Sequence, residues 1–287
     1  MNKLNTRQLL HLPNWIAGLQ WFFFIFANII VIPITIGEAF QLSQEAINSM
    51  MQFSFIVTGL ACIAQAFFGH KRPIMEGQSG LWWGIFLTLV TTATAQGMPL
   101  HELGGSLAVG VMVSGAITIF IGVTGLGPQI AKLFNPGVMS VFVLLLGFTL
   151  IQIFLKGMLG IPFGITNEEV TIQLPTAVLA MLIAIFVIVI SIKSRPEIRS
   201  YALLIGMVVG WILHVLFFGV ESKGTSNGTI YMLFPLGPLT WNTGVVLTAV
   251  LAGLLNLTNT FGALKGSDQL YGSSNTKREY ATSLSIT

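Results

Sequence analysis

The sequence predicts an all-α polytopic membrane protein, a single transmembrane domain over residues 1–287 with about eight spans. Three observations lead there. The chain is 54% hydrophobic and only 8% charged, where a soluble domain carries about 25% charged residues. Apolar stretches recur at 15–36, 47–68, 73–95, 103–123, 134–155, 174–192, 202–218 and 245–264, most near the ~20 residues that a helix needs to cross a bilayer. The basic residues then sort by side. With eight spans, Lys3, Arg7, Lys71, Arg72, Lys132, Lys193, Arg195, Arg199, Lys265, Lys277 and Arg278 share one face, leaving only Lys156 and Lys223 of the thirteen on the other. The positive-inside rule makes the first face cytoplasmic. Both termini are therefore expected in the cytoplasm, and the cell membrane is the expected location.

The first span, 15–36, is too long for a signal-peptide core and lacks a small-residue cleavage site. It carries Gln20 and Asn28, eight residues apart and so near one helical face. The second span holds Cys62, the one cysteine, which excludes an intramolecular disulfide. A small buried hydrophobe is the reading for it.

The third segment opens with H-K-R-P-I-M-E-G-Q-S-G-L-W-W-G, residues 70–84. Pro73 disfavours helix at Arg72, and Gly77 and Gly80 make a continuous helix costly. Extended chain from Lys71 to Gly77 would reach roughly half-way across a ~30 Å hydrocarbon layer. A helix starting near Ser79 would then open close to the membrane midplane. Irregular backbone at that depth survives only where it lines a cavity or is buried in protein. The competing reading is an ordinary helix capped at the cytoplasmic surface by Glu76 and Ser79.

The later spans carry small and polar residues. Gly110 and Ser114, and Gly206 and Gly210, are spaced four apart, which lets helix backbones approach. Gln152 and His214 stand alone in the fifth and seventh spans, where bonding to a neighbouring helix is the simpler role. Asn256 and Asn259 in the eighth are three apart, and amides offer donor and acceptor together. Outside, residues 219–238 form the longest connection and hold the sequon Asn227-Gly228-Thr229. Residues 265–287 are either a cytoplasmic tail or the start of a next segment, and their polar end is expected to be poorly ordered.

Some classes are disfavoured. The sequence has no G-x-x-x-x-G-K-[ST] phosphate loop. His11, His70, His101 and His214 are scattered, without metal-ligand spacing. No cofactor or metal site is predicted, and no enzyme activity. The basic loops suit anionic lipid headgroups rather than nucleic acid.

Several stretches together resemble the nucleobase–ascorbate transporters, the xanthine/uracil permeases. G-L-Q-W-F-F-F-I-F-A-N-I-I-V-I-P, residues 18–33, is similar to that family's opening helix. K-R-P-I-M-E-G-Q-S-G, 71–80, is similar to its third-segment strand and half-helix start. K-L-F-N-P-G-V-M-S-V-F-V-L-L-L-G-F-T-L, 132–150, looks like its fifth helix, and N-L-T-N-T-F-G-A-L, 256–264, falls where its eighth carries Glu-x-x-Gly. The resemblance implies fourteen segments in two inverted repeats of seven. This chain would hold the first seven-segment repeat plus one helix of the second, with a short strand and half-helix in segment 3. It also implies a nucleobase substrate of the purine, xanthine or uracil type, moved by secondary transport with a coupling cation, H+ or Na+.

Carried over by position, the substrate-facing set is Gln20, Ser79, Gly80 and Asn259. The residues beside them add Glu76, Gln78 and Asn256. Trp21 stands where the family usually has His, and Asn259 where it has the Glu expected to carry a proton. An amide cannot titrate, which leaves Glu76 as the carboxylate for any coupling proton. The family continues through six more segments, so the chain reads as truncated after the eighth span. A homodimer or a partner supplying the missing segments would follow, and weak or absent transport by this chain alone. Two other readings stand beside the permease. One is a non-transporting fragment or membrane subunit. The other is a rhomboid-like intramembrane serine protease, since Gly77-Gln78-Ser79-Gly80 has the form G-x-S-G and His214 could act as base.

Overall fold

The computed structural model describes residues 12–72, 74–130, 136–161, 171–219, 233–271 and 277–286. These contain helices α1 (Leu12–Ala39), α2 (Gln44–Phe67), α3 (Gly80–Ala95), α4 (Leu100–Thr124) and the short α5 (Gly127–Ile130). Then follow α6 (Pro136–Met158), α7 (Leu174–Lys193), the short α8 (Pro196–Arg199), α9 (Ala202–Phe218), α10 (Thr243–Tyr271) and α11 (Lys277–Ile286). Five of them contain stretches long and apolar enough to cross a membrane: Trp15–Ala39, Gln44–Phe67, Leu100–Thr124, Leu174–Lys193 and Thr243–Asp268. Gly80–Ala95, Leu144–Met158 and Ala202–Phe218 are shorter apolar helices. Large side chains such as Leu60, Phe67, Val123 and Leu216 are more than three-fifths exposed, the inverse of a water-soluble surface and the pattern expected of lipid contact.

The chain divides into two compact units. The described residues within 29–154 and 228–287 form the larger, those within 1–28, 155–161 and 169–227 the smaller. In the larger, α4 is the helix around which others pack. It buries many small residues, Gly104, Gly105, Ser106, Gly110, Ser114 and Gly122 among them. A Cβ on Gly110 would collide with Ala249 of α10, and one on Gly253 of α10 would collide with Ser114. Where apolar solvent removes the hydrophobic drive for helix pairing, such close backbone approach is what dispersion requires.

The N-terminal part of α4 takes the segment before α10. The carbonyls of Leu236 and Pro238 lie against Gly104 and Gly105, and Thr240 Oγ1 donates to Glu102 O at 2.8 Å. An apolar cluster of Ile36, Phe40, Trp83, Val90, Leu103, Leu107 and Ala249 joins the end of α1 to α3, α4 and α10. Trp83 Nε1, buried within it, donates to Thr35 Oγ1 at 2.7 Å, as a buried indole N–H must find an acceptor. In the smaller unit, α7 and α9 pack through Gly206 against Val187 and Gly210 against Ile183.

Two expectations from sequence are corrected. Among the described residues there is no strand, so the short strand of segment 3 is not formed. Residues 74–79 are non-helical, but a strand needs a second extended chain to share its ladder. The bonds here are local: Ile74 N to Arg72 O, and Trp83 N to Ser79 O. The polar C-terminal stretch expected to be poorly ordered contains α11, whose Ser283 and Leu284 are buried in the larger unit. Gln65 Nε2 donates to Ser283 O at 2.9 Å, and a Cβ on Gly122 would meet Ser285. The sequon Asn227-Gly228-Thr229 lies outside the described residues.

Gly110→Leu is expected to lower stability by roughly 1–3 kcal/mol through overpacking against Ala249, read as a shifted unfolding midpoint in mixed detergent. Gly115→Leu, where an added Cβ meets nothing within 4 Å, should leave that midpoint almost unchanged.

Candidate functional site

The site lies where the chain passes from α2 to α3. The helix ends at Phe67: Phe68 is its C-cap, Gly69 N still donates to Gln65 O at 3.1 Å, and Lys71 adopts a left-handed φ of 56°. Regular structure resumes only at Gly80. Ser79 is the N-cap, with extended backbone (φ −80°, ψ 128°) and its Oγ accepting from Leu81 N at 3.2 Å. The first turn of α3 thus presents main-chain N–H groups and the positive end of a helix.

A cavity of about 330 Å³ opens beside this start. Glu76, Gln78, Ser79 and Gly80 line it from the break, Leu146 and Leu150 from α6, and Asn256 and Asn259 from α10. A Cβ at Gly80 would stand 3.1 Å from Leu150 Cδ2, so any side chain there would narrow it.

Three polar side chains bridge the two helices. Ser79 Oγ donates to Asn256 Oδ1 at 2.5 Å. Asn259 Nδ2 donates to Ser79 Oγ at 3.1 Å and to Asn256 Oδ1 at 2.9 Å. An inventory of lone pairs and hydrogens shows what is left over. The Ser79 hydroxyl is saturated, as are Asn256 Oδ1 and Asn259 Nδ2. Asn256 Nδ2 and Asn259 Oδ1 have no partner among the described residues. Turning both amides over together gives the same result with the roles exchanged. Either way the cavity wall offers one free NH2 and one free C=O.

The remaining members are held differently. Gln78 Nε2 donates to Ser54 Oγ of α2 at 2.7 Å, while its Oε1 is buried without a partner among the described residues. Glu76 Oε1 lies 3.2 Å from Nε2 of buried His70, which also lines the cavity. The structure therefore brings together Glu76, Gln78, Ser79, Gly80, Asn256 and Asn259. Gln20 belongs to the smaller unit, where its Nε2 donates to Ser200 O at 2.9 Å. There it borders a cavity of about 150 Å³ with Trp21, Phe24, Leu203, Leu204 and Met207.

His70 was missed as a site residue, because its six-residue separation from Glu76 crosses a break and matches no helical or strand period. The protease reading is not favoured. A nucleophilic serine must give its proton to a base, and Ser79 gives it to an amide oxygen. His214 instead lies against Phe218, ring centroids 5.0 Å apart, in the smaller unit.

An interrupted apolar helix whose first turn meets polar side chains at a small cavity is a construction of membrane transporters rather than of enzymes. The chain belongs to the nucleobase–ascorbate transporter family, the xanthine/uracil permeases: a family model described as "Permease family" matches residues 14–285. Among curated relatives, it is 29% identical over 259 residues to the Bacillus subtilis (strain 168) protein named "Putative purine permease YwdJ", covering 88% of this chain and 57% of that one. It is 21% identical over 266 residues to uric acid permease PucJ of the same organism, covering 89% and 56%. Xanthine permease of that organism is 21% identical over 252 residues, covering 85% and 54%. The chain thus spans little more than half the length of these relatives.

Ser79→Ala removes the cap, so it should cost about 1 kcal/mol of stability and speed amide hydrogen exchange at Leu81. Ser79→Thr keeps the oxygen and is expected to restore both.

Proposed function

We propose that the chain binds a nucleobase of the purine, xanthine or uracil type in a permease of the cell membrane, with both termini in the cytoplasm. The observation that carries this is the leftover chemistry of the asparagine pair. One free NH2 beside one free C=O complements a planar ring edge bearing a carbonyl next to an N–H. The start of α3 favours a carbonyl or partly anionic oxygen nearby. Names given to the relatives point to the same ligand class. The orientation is supported by the excess of Lys and Arg in the loops assigned to the cytoplasm.

Transport would be secondary and cation-coupled. Asn259 cannot hold a proton, and Glu76 is the carboxylate in the cavity wall, so a coupling proton would use Glu76. Helix α3 supports a half-membrane role for this segment: its 16 residues rise only about 24 Å, short of a ~30 Å hydrocarbon layer. The non-helical residues before it would make up the difference.

The test is equilibrium binding of radiolabelled xanthine to the purified chain in lipid nanodiscs. Saturable binding, competed by uracil or uric acid, is expected. Asn256→Leu and Asn259→Leu should each weaken it by about tenfold or more, the effect of losing one to two hydrogen bonds. No saturable binding, or binding that neither substitution disturbs, would overturn the reading.

A further inference from the structure

We propose that His70 is a positioning residue that fixes Glu76 as a hydrogen-bond acceptor in the cavity wall, so that the site selects planar heterocycles carrying a ring N–H. The ligand class rests on the nucleobase reading; the positioning role stands on the geometry below.

The main-chain N–H of Arg72 donates to His70 Nδ1 at 3.1 Å. A ring nitrogen that accepts carries no proton, so the imidazole hydrogen sits on Nε2. Nε2 lies 3.2 Å from Glu76 Oε1 and therefore donates to it, with the carboxylate supplying the lone pair. A proton on Glu76 Oε1 donating the other way would force the ring hydrogen onto Nδ1, against the Arg72 N–H. The imidazole is only 2% exposed and cannot swing out of this arrangement, while the Glu76 side chain is 22% exposed. Glu76 Oε2 has no partner among the described residues and is not among their fully buried atoms. It is the oxygen left for a ligand.

The couple is registered to the helix that carries the asparagines. Arg72 Nη1 donates to Ser267 Oγ at 2.7 Å and pairs with Asp268 Oδ1 at 2.8 Å, both on α10. From α2, Cys62 Sγ donates to the Glu76 carbonyl at 3.5 Å. Fixing Arg72 fixes its peptide N–H, which fixes the imidazole, which fixes the carboxylate. A ring N–H meeting Glu76 Oε2 would make a charge-assisted bond, stronger than the neutral bonds offered by the amides. A ring methylated at nitrogen would leave that carboxylate unpaired, and an unpaired charged group in a confined site is costly.

The test uses the purified chain in lipid nanodiscs with radiolabelled xanthine, and caffeine, which lacks any ring N–H, as the comparison ligand. His70→Ala and Glu76→Ala should each weaken xanthine binding by about tenfold and shrink the preference over caffeine equally. The double variant should be no weaker than Glu76→Ala alone. His70→Gln, whose amide can still donate to Glu76, should restore binding, and His70→Leu, which fills space without a donor, should not. Full binding by His70→Leu, or additive losses in the double variant, would overturn the proposal. If the unaltered chain does not bind xanthine, the nucleobase reading fails on its own, and the alkylation rate of Cys62 by maleimide decides the positioning role. A rate raised about tenfold in His70→Ala but not in His70→Gln supports it, since alkylation samples opening of the Cys62 contact. Equal rates in His70→Ala and the unaltered chain overturn it.

Discussion

The bond from Ser79 Oγ to Asn256 Oδ1 joins two features that would otherwise be independent. One is a helix start, which needs an acceptor for its early amides and gets it from the same oxygen. The other is a pair of amides on α10, which in an apolar surrounding must find partners or cost several kcal/mol. Because the hydroxyl is saturated by both, α3 cannot begin elsewhere without stranding the asparagines. The asparagines in turn cannot rotate without giving up their bonds to Ser79 Oγ and to each other. Such a network costs little to keep and much to open, and it leaves one donor and one acceptor without a partner among the described residues.

Packing around α4 explains how α10 can be held that still. Glycine and serine along α4 let α10 and α11 approach to backbone contact. Close approach multiplies dispersion contacts where water is absent to enforce burial. The carbonyls of Leu236 and Pro238, seated on Gly104 and Gly105, anchor the segment leading into α10. Arg72 with Ser267 and Asp268 anchors it further along. Asn256 and Asn259 lie between these two fixed points.

What the sequence made legible was the class and the place of the break. With 8% charged residues in the chain, helices apolar on most faces were the only economical backbone solution in lipid. Gly77, Ser79 and Gly80 marked the restart because each has a local preference that acts within one turn. The asparagine pair was legible too, since a three-residue spacing on a helix needs no tertiary knowledge. The strand was not to be had from residues 71–80 alone, because a strand is a property of two chains. Helix α11 was hidden behind polar composition: its order comes from α4 and Gln65, contacts of long sequence separation. Gln20 illustrates the same limit. Its position in an opening helix could be read, but its acceptor, Ser200 O, is 180 residues away.

An amide at position 259, where the family pattern has a carboxylate, changes what a site of this kind can do. A carboxylate there would alternate between charged and neutral, and the bonds to Ser79 and to residue 256 would have to change with it. Asn259 keeps one donor–acceptor pattern at every pH, so recognition by the pair would be constant. Any charge change must then come from another wall. On the proposed reading Glu76 is that wall, and it is tied to His70 rather than to the asparagines. The proposed reading thus assigns edge recognition to α10 and charge to the break before α3.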